Sequence, residues 1–539
     1  MRKSVLAMSL ASIISVGLLV SCRPSSTSSS SSADSTGTSE VGAYKFDKKV
    51  SIDFWVKKGT AKYYSNFVKA FNSAYPSITV NVLDSGNYGD IDQKISQGIS
   101  VGNVPNMALT YPDYVSGYLK DAPNRVLDVT PYMNSAEYGF GHGDPVIEWN
   151  GQQVQVNTAA DDIIPSYLND GNNFIIDGKK IEGQYELPLS KSTEMLFVNR
   201  NLLTEVAQKS NTTYDVIKQK LATWEGVWEV TEMMKTAMPE KWNGQKASAN
   251  KGSAPLTYED DTNFYVTMSQ QLGIPYVDSS AADNLPVLFG KPENKQKTVD
   301  FLKFMGEKYN SGNFVTGDTI GIAGTYATSL FAKESSGLII TTTAGLSWLN
   351  DPDKEGDEDH QFPIDVLSYP SSSKDWVHNE ADLPADADPD AVISQGPGVV
   401  LFKSGDSDKD LATWLFYKTM TSDFLNAQWV AAGSYAPIRY SVKETEVFKG
   451  MFDIPADSKK PLYDANYYPA KKQMYEVIDQ YGKQGNLFTT DVFPGSGSVR
   501  NEAGSLFTGS LNSEKNTDSD AIGELVDKYY QLAVADSTK

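Results

Sequence analysis

The sequence predicts an α/β fold with two lobes, each built on a mostly parallel sheet flanked by helices. Three observations lead to this prediction. Strand and helix patterns alternate from residue 50 onwards, the chain is long, and hydrophobic residues make up 40% of its 539 residues. Alternating strands and helices predict crossover connections and therefore parallel strand pairs. About 495 residues follow the N-terminal extension, more than a single core usually holds, which favours two or more lobes.

The first elements follow one another as strand, helix, strand, helix and strand. Apolar residues alternate at 50–54 and again at 78–82, as in half-buried strands. Between them, aromatic and small apolar residues recur at helical spacing over 64–74. Residues 90–100 are typical of a polar helix, and the apolar run 106–111 is typical of a buried strand. This order predicts the doubly wound start of a parallel sheet.

Helical spacing later in the chain predicts further helices, at about 298–310, 408–420, 421–432 and 520–534. Two stretches, 136–184 and 239–260, are instead rich in Gly, Asn, Asp and Lys. We interpret both as surface insertions that contain some short strands.

The N-terminus has the pattern of an export signal. Residues 1–3 are basic, residues 5–20 are apolar, and Leu-Val-Ser then precedes Cys22, as in bacterial lipoproteins. The apolar run is shorter than the ~20 residues of a permanent membrane helix. Because Cys22 is the only cysteine, we expect removal of residues 1–21 and lipid on Cys22. A plain signal peptide with an incidental cysteine is the alternative.

The residues after this signal, 22–43, are mostly Ser and Thr with no large apolar side chain, which predicts a flexible tether. Such a chain would be exported and anchored at the outer face of the cell membrane, or on the periplasmic side in a cell with two membranes. The net charge is −21, so we do not expect the chain to bind nucleic acid or anionic lipid surfaces, since proteins bind both through basic faces.

Five segments carry patterns that are familiar from one protein family. In chain order they are Phe54-Trp55-Val56 with the helix ending at Tyr75-Pro76, then Gly102-Asn103-Val104-Pro105, residues 187–203, Thr223-Trp224-Glu225-Gly226, and residues 432–439. The third is similar to the crossing-strand pattern P-x-x-x-x-T-x-x-L-x-Y-N-K-x-L, with Val198 and Arg200 at the usual Tyr and Lys positions. Together they resemble the extracellular solute-binding proteins of ABC importers, in the carbohydrate-binding group that includes maltose-binding protein.

The resemblance implies a two-lobe periplasmic-binding-protein fold of type II, with hinge strands between the lobes. The first lobe would comprise residues 44–187 and 368–432, and the second 188–367 and 440–539. A sugar or oligosaccharide would be captured in the cleft by hinge closure and delivered to the membrane permease. The family implies a monomer that uses no cofactor, has no catalytic residue and breaks no bond of its solute.

Sugars are bound by aromatic faces and by carboxylate, amide or ammonium groups at the ends of strands that face the cleft. The resemblance and these strand ends together predict a set of solute-binding residues: Trp55, Lys57, Asp84, Tyr111, Asp113, Glu194, Trp348 and Tyr435. Each has a structural alternative. Trp55 would pack in the core, Asp84 would cap a turn, Glu194 would be the buried hinge partner of a lysine, and Tyr435 would support the hinge.

An acidic run at 351–359 has the spacing of the start of an EF-hand loop, but Phe362 stands where a bidentate Glu is expected. We interpret this run as a solvated acidic loop and leave calcium binding open as the alternative. Two other functions also stay open, a surface glycosidase and a surface adhesin of the same fold. A glycosidase needs two facing carboxylates. The three histidines have no metal-ligand spacing, and Gly495-Ser496-Gly497-Ser498 lacks the apolar strand of a nucleophile elbow.

Overall fold

The computed structural model describes residues 44–243, 253–281, 285–320, 327–354, 356 and 361–538. The predicted signal peptide, the tether and Cys22 lie outside these residues. The elements up to the first passage between the lobes are β1 Val50–Val56, α1 Ala61–Ala74, β2 Ile78–Asp84, α2 Tyr88–Gly98, β3 Met107–Thr110, α3 Pro112–Asp121, α4 Thr130–Met133, β4 Val146–Trp149, β5 Gln152–Gln155, α5 Pro165–Asn169, β6 Phe174–Ile176, β7 Lys179–Ile181 and β8 Glu186–Pro188.

The middle of the chain builds most of the second lobe. Its elements are β9 Ser192–Asn199, α6 Arg200–Lys209, α7 Tyr214–Lys220, α8 Trp224–Ala237, β10 Leu256–Tyr258, α9 Asp261–Leu272, α10 Lys295–Asn310, β11 Phe314–Thr316, α11 Ala327–Ala332, β12 Leu338–Thr342, β13 Ile364–Leu367 and β14 Val392–Gln395. The last part of the chain carries β15 Gly398–Leu401, α12 Ser407–Met420, α13 Asp423–Gly433, α14 Glu446–Gly450, α15 Pro461–Gln484, β16 Leu487–Phe488, α16 Ser496–Asn512 and α17 Ser519–Ser537.

Each lobe is built on one large sheet. In the first lobe the strand order is β2-β1-β3-β15-β8, and in the second it is β11-β10-β12-β9-β14-β16, with β13 also paired to β9. The β-α-β-α-β start is parallel, as predicted. Both sheets are mixed rather than mostly parallel, because β15 runs antiparallel to β3 and β8, and β9 runs antiparallel to β12, β13 and β14. The strands that enter from the other lobe cause this reversal.

Local sequence explains where several of these helices begin. The side chain of Asn87 accepts a hydrogen bond from the Asp90 N–H at 2.9 Å, and the Asp90 carboxylate accepts one from the Asn87 N–H, which forms a capping box at the start of α2. The predicted cap at Thr223 is confirmed, since its Oγ1 accepts a hydrogen bond from the Gly226 N–H at 3.3 Å.

The chain passes between the lobes at 188–192, at 395–398 and along 426–439. The aromatic and aliphatic core of the first lobe includes β1, α1 and α12, and that of the second includes β9, α8 and α9. Helix α13 contributes to both cores, with Leu425 in the first and Val430 in the second. These passages place β8, β14 and β15 at the boundary between the lobes.

One segment lies in a different lobe from the predicted one. Tyr369 and Trp376 pack with Trp224 in the core of the second lobe, and β14 pairs with β9 in its sheet. Residues from 368 to about 395 therefore belong to the second lobe, and the return to the first lobe begins at β15. Large aromatic side chains decide this placement, because burying them against Trp224 removes a large apolar area from water.

The two predicted insertions are more deeply buried than the sequence predicts. Residues 136–184 do carry short strands, as the hairpins β4–β5 and β6–β7, but Phe140 and Phe174 are buried. The second stretch ends in β10, a fully buried strand between β11 and β12. Helices α15 and α16 are also absent from the helices predicted above. Pro469 inside α15 and the Gly-Ser-Gly-Ser start of α16 obscure both helical patterns.

Within the described ranges, no helix is long and apolar enough to span a bilayer.

Candidate functional site

A cavity of about 800 Å³ lies between the lobes, beside the passages that join them. The first lobe contributes the residues that follow β3 and the loop around α5. The second lobe contributes the N-terminal region of α9 and the segment that runs into α16. The lining residues used below are Tyr111, Asp113, Asp170, Lys180, Lys191, Asp260, Asn263, Gln395 and Arg500. A volume of this size accommodates a small molecule or a short oligosaccharide.

Tyr111 and Asp113 line this cavity at the end of β3. Tyr111 immediately precedes α3, and its ring meets the edge of Tyr88 at a centroid distance of 5.1 Å. Burial raises the pKa of Tyr111, so its hydroxyl stays protonated and is able to donate a hydrogen bond. The Asp113 carboxylate accepts a hydrogen bond of 2.7 Å from Ser496 Oγ, which belongs to the second lobe. This bond joins the two walls of the cavity.

Lys57 lies next to the same aromatic group but outside the cavity lining. Its ammonium is 5.4 Å from the centroid of the Tyr88 ring, so Lys57, Tyr88 and Tyr111 follow one another at the ends of neighbouring strands. Tyr435, in the last passage between the lobes, stacks on Trp429 at 5.9 Å. Burial raises the pKa of Tyr88, and the hydroxyls of Tyr111 and Tyr435 add to this rise.

Three of the predicted residues lie elsewhere. Trp55 packs against the cluster of α2 and α3. The Asp84 carboxylate accepts hydrogen bonds from the backbone of Thr60 and Ala61 at 3.2 and 3.0 Å, at the start of α1. The Ala61 N–H bond holds the pKa of Asp84 below its ordinary value. Trp348 is 47% exposed, follows the helical turn after β12, and lies under the Lys354 ammonium at 4.4 Å.

Glu194 is fully buried in β9, one residue layer behind the cavity. Its carboxylate accepts hydrogen bonds from the Tyr258 hydroxyl and from Asn263 Nδ2, the latter at 2.9 Å. Burial raises the pKa of Glu194 to about 8, and the nearby Asp260 adds to this rise. The hydrogen-bond partners of Glu194 are thus a tyrosine and an asparagine rather than the lysine of the structural alternative, and its link to the cavity passes through Asn263.

The charges around the cavity balance. Lys180, Lys191 and Arg500 face Asp113, Asp170 and Asp260. Lys191 and Asp170 form a buried ion pair. The Asp260 side chain caps α9, because it accepts a hydrogen bond of 2.7 Å from the Asn263 N–H. A cavity with equal numbers of cations and carboxylates suits a neutral solute with many hydroxyl groups.

Sequence reasoning missed the lining residues of the second lobe and of the passages, above all Lys191, Asn263, Gln395 and Arg500. Lys191 lies in the crossing-strand motif, at a position that the motif leaves unspecified. Arg500 lies in a helix that was not predicted. Asn263 carried no signal, because nothing in its local sequence shows that it faces Glu194, 69 residues away.

No group of His, Cys, Asp and Glu in the described part of the chain could hold a metal ion. In the acidic run, Asp351 forms an ion pair with Lys460 at 2.8 Å, and Asp353 forms a second ion pair with the same lysine. Residues 355 and 357–359 of this run lie outside the described residues, so calcium binding there stays an open alternative.

Comparisons with known proteins agree with this architecture. A family described as bacterial extracellular solute-binding protein matches residues 66–461. No curated protein matches the chain. Among solved structures, the GacH receptor of Streptomyces glaucescens, studied unliganded and with acarbose, is 13% identical with a TM-score of 0.57. The alignment covers 91% of this chain and all of that one.

Two further structures share the fold. An ABC substrate-binding protein of Listeria monocytogenes in complex with cycloalternan is 15% identical, with a TM-score of 0.58 over 90% of this chain and 99% of that one. UgpB of Mycobacterium tuberculosis in complex with glycerophosphocholine is 14% identical, with the same TM-score and the same coverage. At these identities the likeness establishes the two-lobe fold alone.

Proposed function

Because the chain belongs to the bacterial extracellular solute-binding proteins, which are exported and bind rather than transform their solutes, we propose that it captures a sugar or oligosaccharide between its lobes and delivers it to the permease of an ABC importer. The observation that carries this proposal is the cavity itself. Both lobes contribute its lining, so a solute that contacts both walls binds the closed form more tightly than the open one.

The chemistry of the lining supports a carbohydrate. Tyr111 offers an aromatic face for the C–H surface of a sugar ring, and Asp113, Asp260 and Arg500 offer acceptors and donors for its hydroxyls. GacH and the Listeria protein were solved with acarbose and cycloalternan, whereas UgpB was solved with glycerophosphocholine. The aromatic face of Tyr111 beside hydroxyl-binding groups is the feature on which we base the choice of a sugar.

Of the predicted binding residues, we propose that Tyr111 and Asp113 contact the solute directly. Lys57 and Tyr435 extend this surface along the aromatic group around Tyr88. Glu194 acts through Asn263. Trp55, Asp84 and Trp348 are not part of the proposed site, since the cavity wall does not include them.

A thermal-shift series tests this function. We expect at least one of maltotriose, raffinose, xylotriose and digalacturonate to raise the melting temperature, because a solute at 100 times its dissociation constant stabilises the folded state by about 2.7 kcal/mol. Tyr111→Ala should weaken binding of that sugar about tenfold or more, as measured by titration calorimetry. The exposed Tyr63, outside the cavity, provides the matched control, and Tyr63→Ala should bind like the wild type.

The same incubation separates the alternatives. Every sugar should be recovered intact, because a binding protein breaks no bond of its solute. Cleavage of any sugar would support a surface glycosidase instead. An unchanged melting temperature with all four sugars would contradict the proposed function and favour an adhesin of this fold.

We also propose that the mature chain is a monomer held at the membrane by lipid on Cys22. A tethered body stays close to its permease, since a flexible linker raises the local concentration without a new contact. Cys22→Ser should move the protein from the membrane fraction to the soluble fraction. Recovery of that variant in the membrane, or an unmodified Cys22 in the peptide mass spectrum of the wild type, would contradict the anchor.

A further inference from the structure

Arg500 lines the cavity, and only part of its guanidinium is hydrogen-bonded to the protein. It lies in the second turn of α16, and its Nη2 donates a hydrogen bond to Asn263 Oδ1. Its other nitrogens make no hydrogen bond with any residue in the described ranges. Arginine presents its donors in a rigid, planar fork, so holding one nitrogen fixes the direction of the others.

The orientation of Asn263 is itself determined. Its Nδ2 donates to Glu194 Oε1 at 2.9 Å and to Gln395 Oε1 at 3.1 Å. Both amide hydrogens are thereby used by two acceptors, and Oδ1 is left to face Arg500. Asn263 is 1% exposed and Glu194 is fully buried. Glu194, which does not line the cavity, therefore holds the Asn263 amide, and Asn263 in turn holds the arginine fork.

Gln395 adds a second donor beside this fork. Its Oε1 accepts a hydrogen bond from Asn263, so its Nε2 is the group that is left to donate. That nitrogen has no hydrogen-bond partner among the described residues. Gln395 also lines the cavity, where the chain passes from the second lobe to the first. The back wall of the cavity thus presents several adjacent donors that protein groups leave unused.

The same helix face of α16 also contacts the opposite lobe. Ser496, one turn before Arg500, donates its hydroxyl to Asp113 at 2.7 Å. Beside it, Ser116 Oγ donates to the Phe493 carbonyl at 2.9 Å, and the Ile175 N–H donates to the Val492 carbonyl at 3.3 Å. A group bound at Arg500 therefore lies where the two lobes meet.

We propose that Arg500 is the main specificity-determining contact of the second lobe and donates to two neighbouring hydroxyl oxygens of a sugar ring, with Asn263 as the residue that positions it. This inference rests on the proposed function and names the residue that distinguishes one solute from another. Paired oxygens match the fork of arginine, while the single ammonium of lysine reaches only one of them well.

Arg500→Lys tests the proposal by titration calorimetry with maltotriose, raffinose, xylotriose and digalacturonate. For each sugar that binds the wild type, we expect affinity to fall about tenfold or more. The matched control is Arg125→Lys, because the guanidinium of Arg125 lies beside Gly102 in the first lobe, outside the cavity lining. It should bind as the wild type does.

A double-mutant cycle tests the positioning role. Asn263→Ala should weaken binding by a similar factor, and the double variant with Arg500→Lys should bind no more weakly than either single variant, since both remove the same contact. Wild-type binding that survives Arg500→Lys would overturn the inference and leave the proposed function intact. Additive losses in the cycle would overturn the positioning role, and a wild type that binds none of the four sugars would overturn the proposed function itself.

Discussion

Replacement of Arg439 by methionine should lower the free energy of unfolding by about 3–5 kcal/mol, the usual cost of removing one partner from a buried charged network. Arg439 is fully buried in the last passage between the lobes. Its Nε donates to the Thr421 carbonyl at 2.5 Å, its Nη1 donates to the Ala159 carbonyl at 2.7 Å, and Asp162 is 3.7 Å away.

The loss arises mainly from what the substitution leaves behind. Methionine fills much of the space over the Phe140 ring, which lies 5.2 Å from the guanidinium, but it provides no donor for the two carbonyls. Burial lowers the pKa of Arg439, because a charge removed from water is destabilised unless nearby groups compensate. The Ala159 carbonyl would lose its side-chain donor, although the Ile164 N–H would still donate to the Ile438 carbonyl of the hinge.

Urea denaturation measures this effect. The control is Arg125→Met, because Arg125 is an arginine of the first lobe that is only partly buried. The control should change stability by less than about 1 kcal/mol. A loss below that value for Arg439→Met would show that the passage between the lobes does not depend on this guanidinium.

Replacement of Glu194 by glutamine should remove a pH-dependent loss of stability. The pKa of Glu194 is about 8 in the folded protein, above its ordinary value of 4.5, because the carboxyl is buried. A raised pKa means that the folded state retains the proton longer than the unfolded state does. The stabilising contribution is therefore complete below pH 4.5 and is lost as pH rises through 8.

The size of this effect follows from the shift in pKa. At about 1.4 kcal/mol per unit, the variant should gain roughly 5 kcal/mol relative to the wild type between a pH below 4.5 and about pH 9. Glutamine fits the site, since its oxygen is able to accept from Asn263, and its amide nitrogen is able to donate to the Tyr258 oxygen in place of the bond that Glu194 accepts from that hydroxyl. The Tyr258 hydroxyl is in turn hydrogen-bonded to the Tyr369 hydroxyl at 3.0 Å.

Unfolding curves at pH 5, 7 and 9 measure this prediction. Glu182→Gln at an exposed position should change stability little at any of these values. A constant difference between Glu194→Gln and the wild type over this range would show that the proton on Glu194 is not linked to folding.

Much of the fold is predictable from local patterns. Alternating apolar residues identified β1 and β2, helical spacing identified α1, and Thr223 marked the start of α8. The crossing strand was predicted from its motif, and Tyr111 and Asp113 were predicted from their position after β3. In each case the signal lies within a few residues along the chain, because propensity, capping and periodicity act at that range.

The sequence by itself thus determined the class of fold, the order of its first elements and one wall of the cavity. Only the tertiary structure decided that residues 368–395 pack on Trp224 in the second lobe, that Trp348 lies outside the cavity, and that Arg500 reaches Asn263 across 237 positions of the chain. The physical reason is that these contacts depend on which buried groups satisfy each other once both lobes have formed, and no local pattern records the partner of Glu194 or the direction of the Arg500 fork.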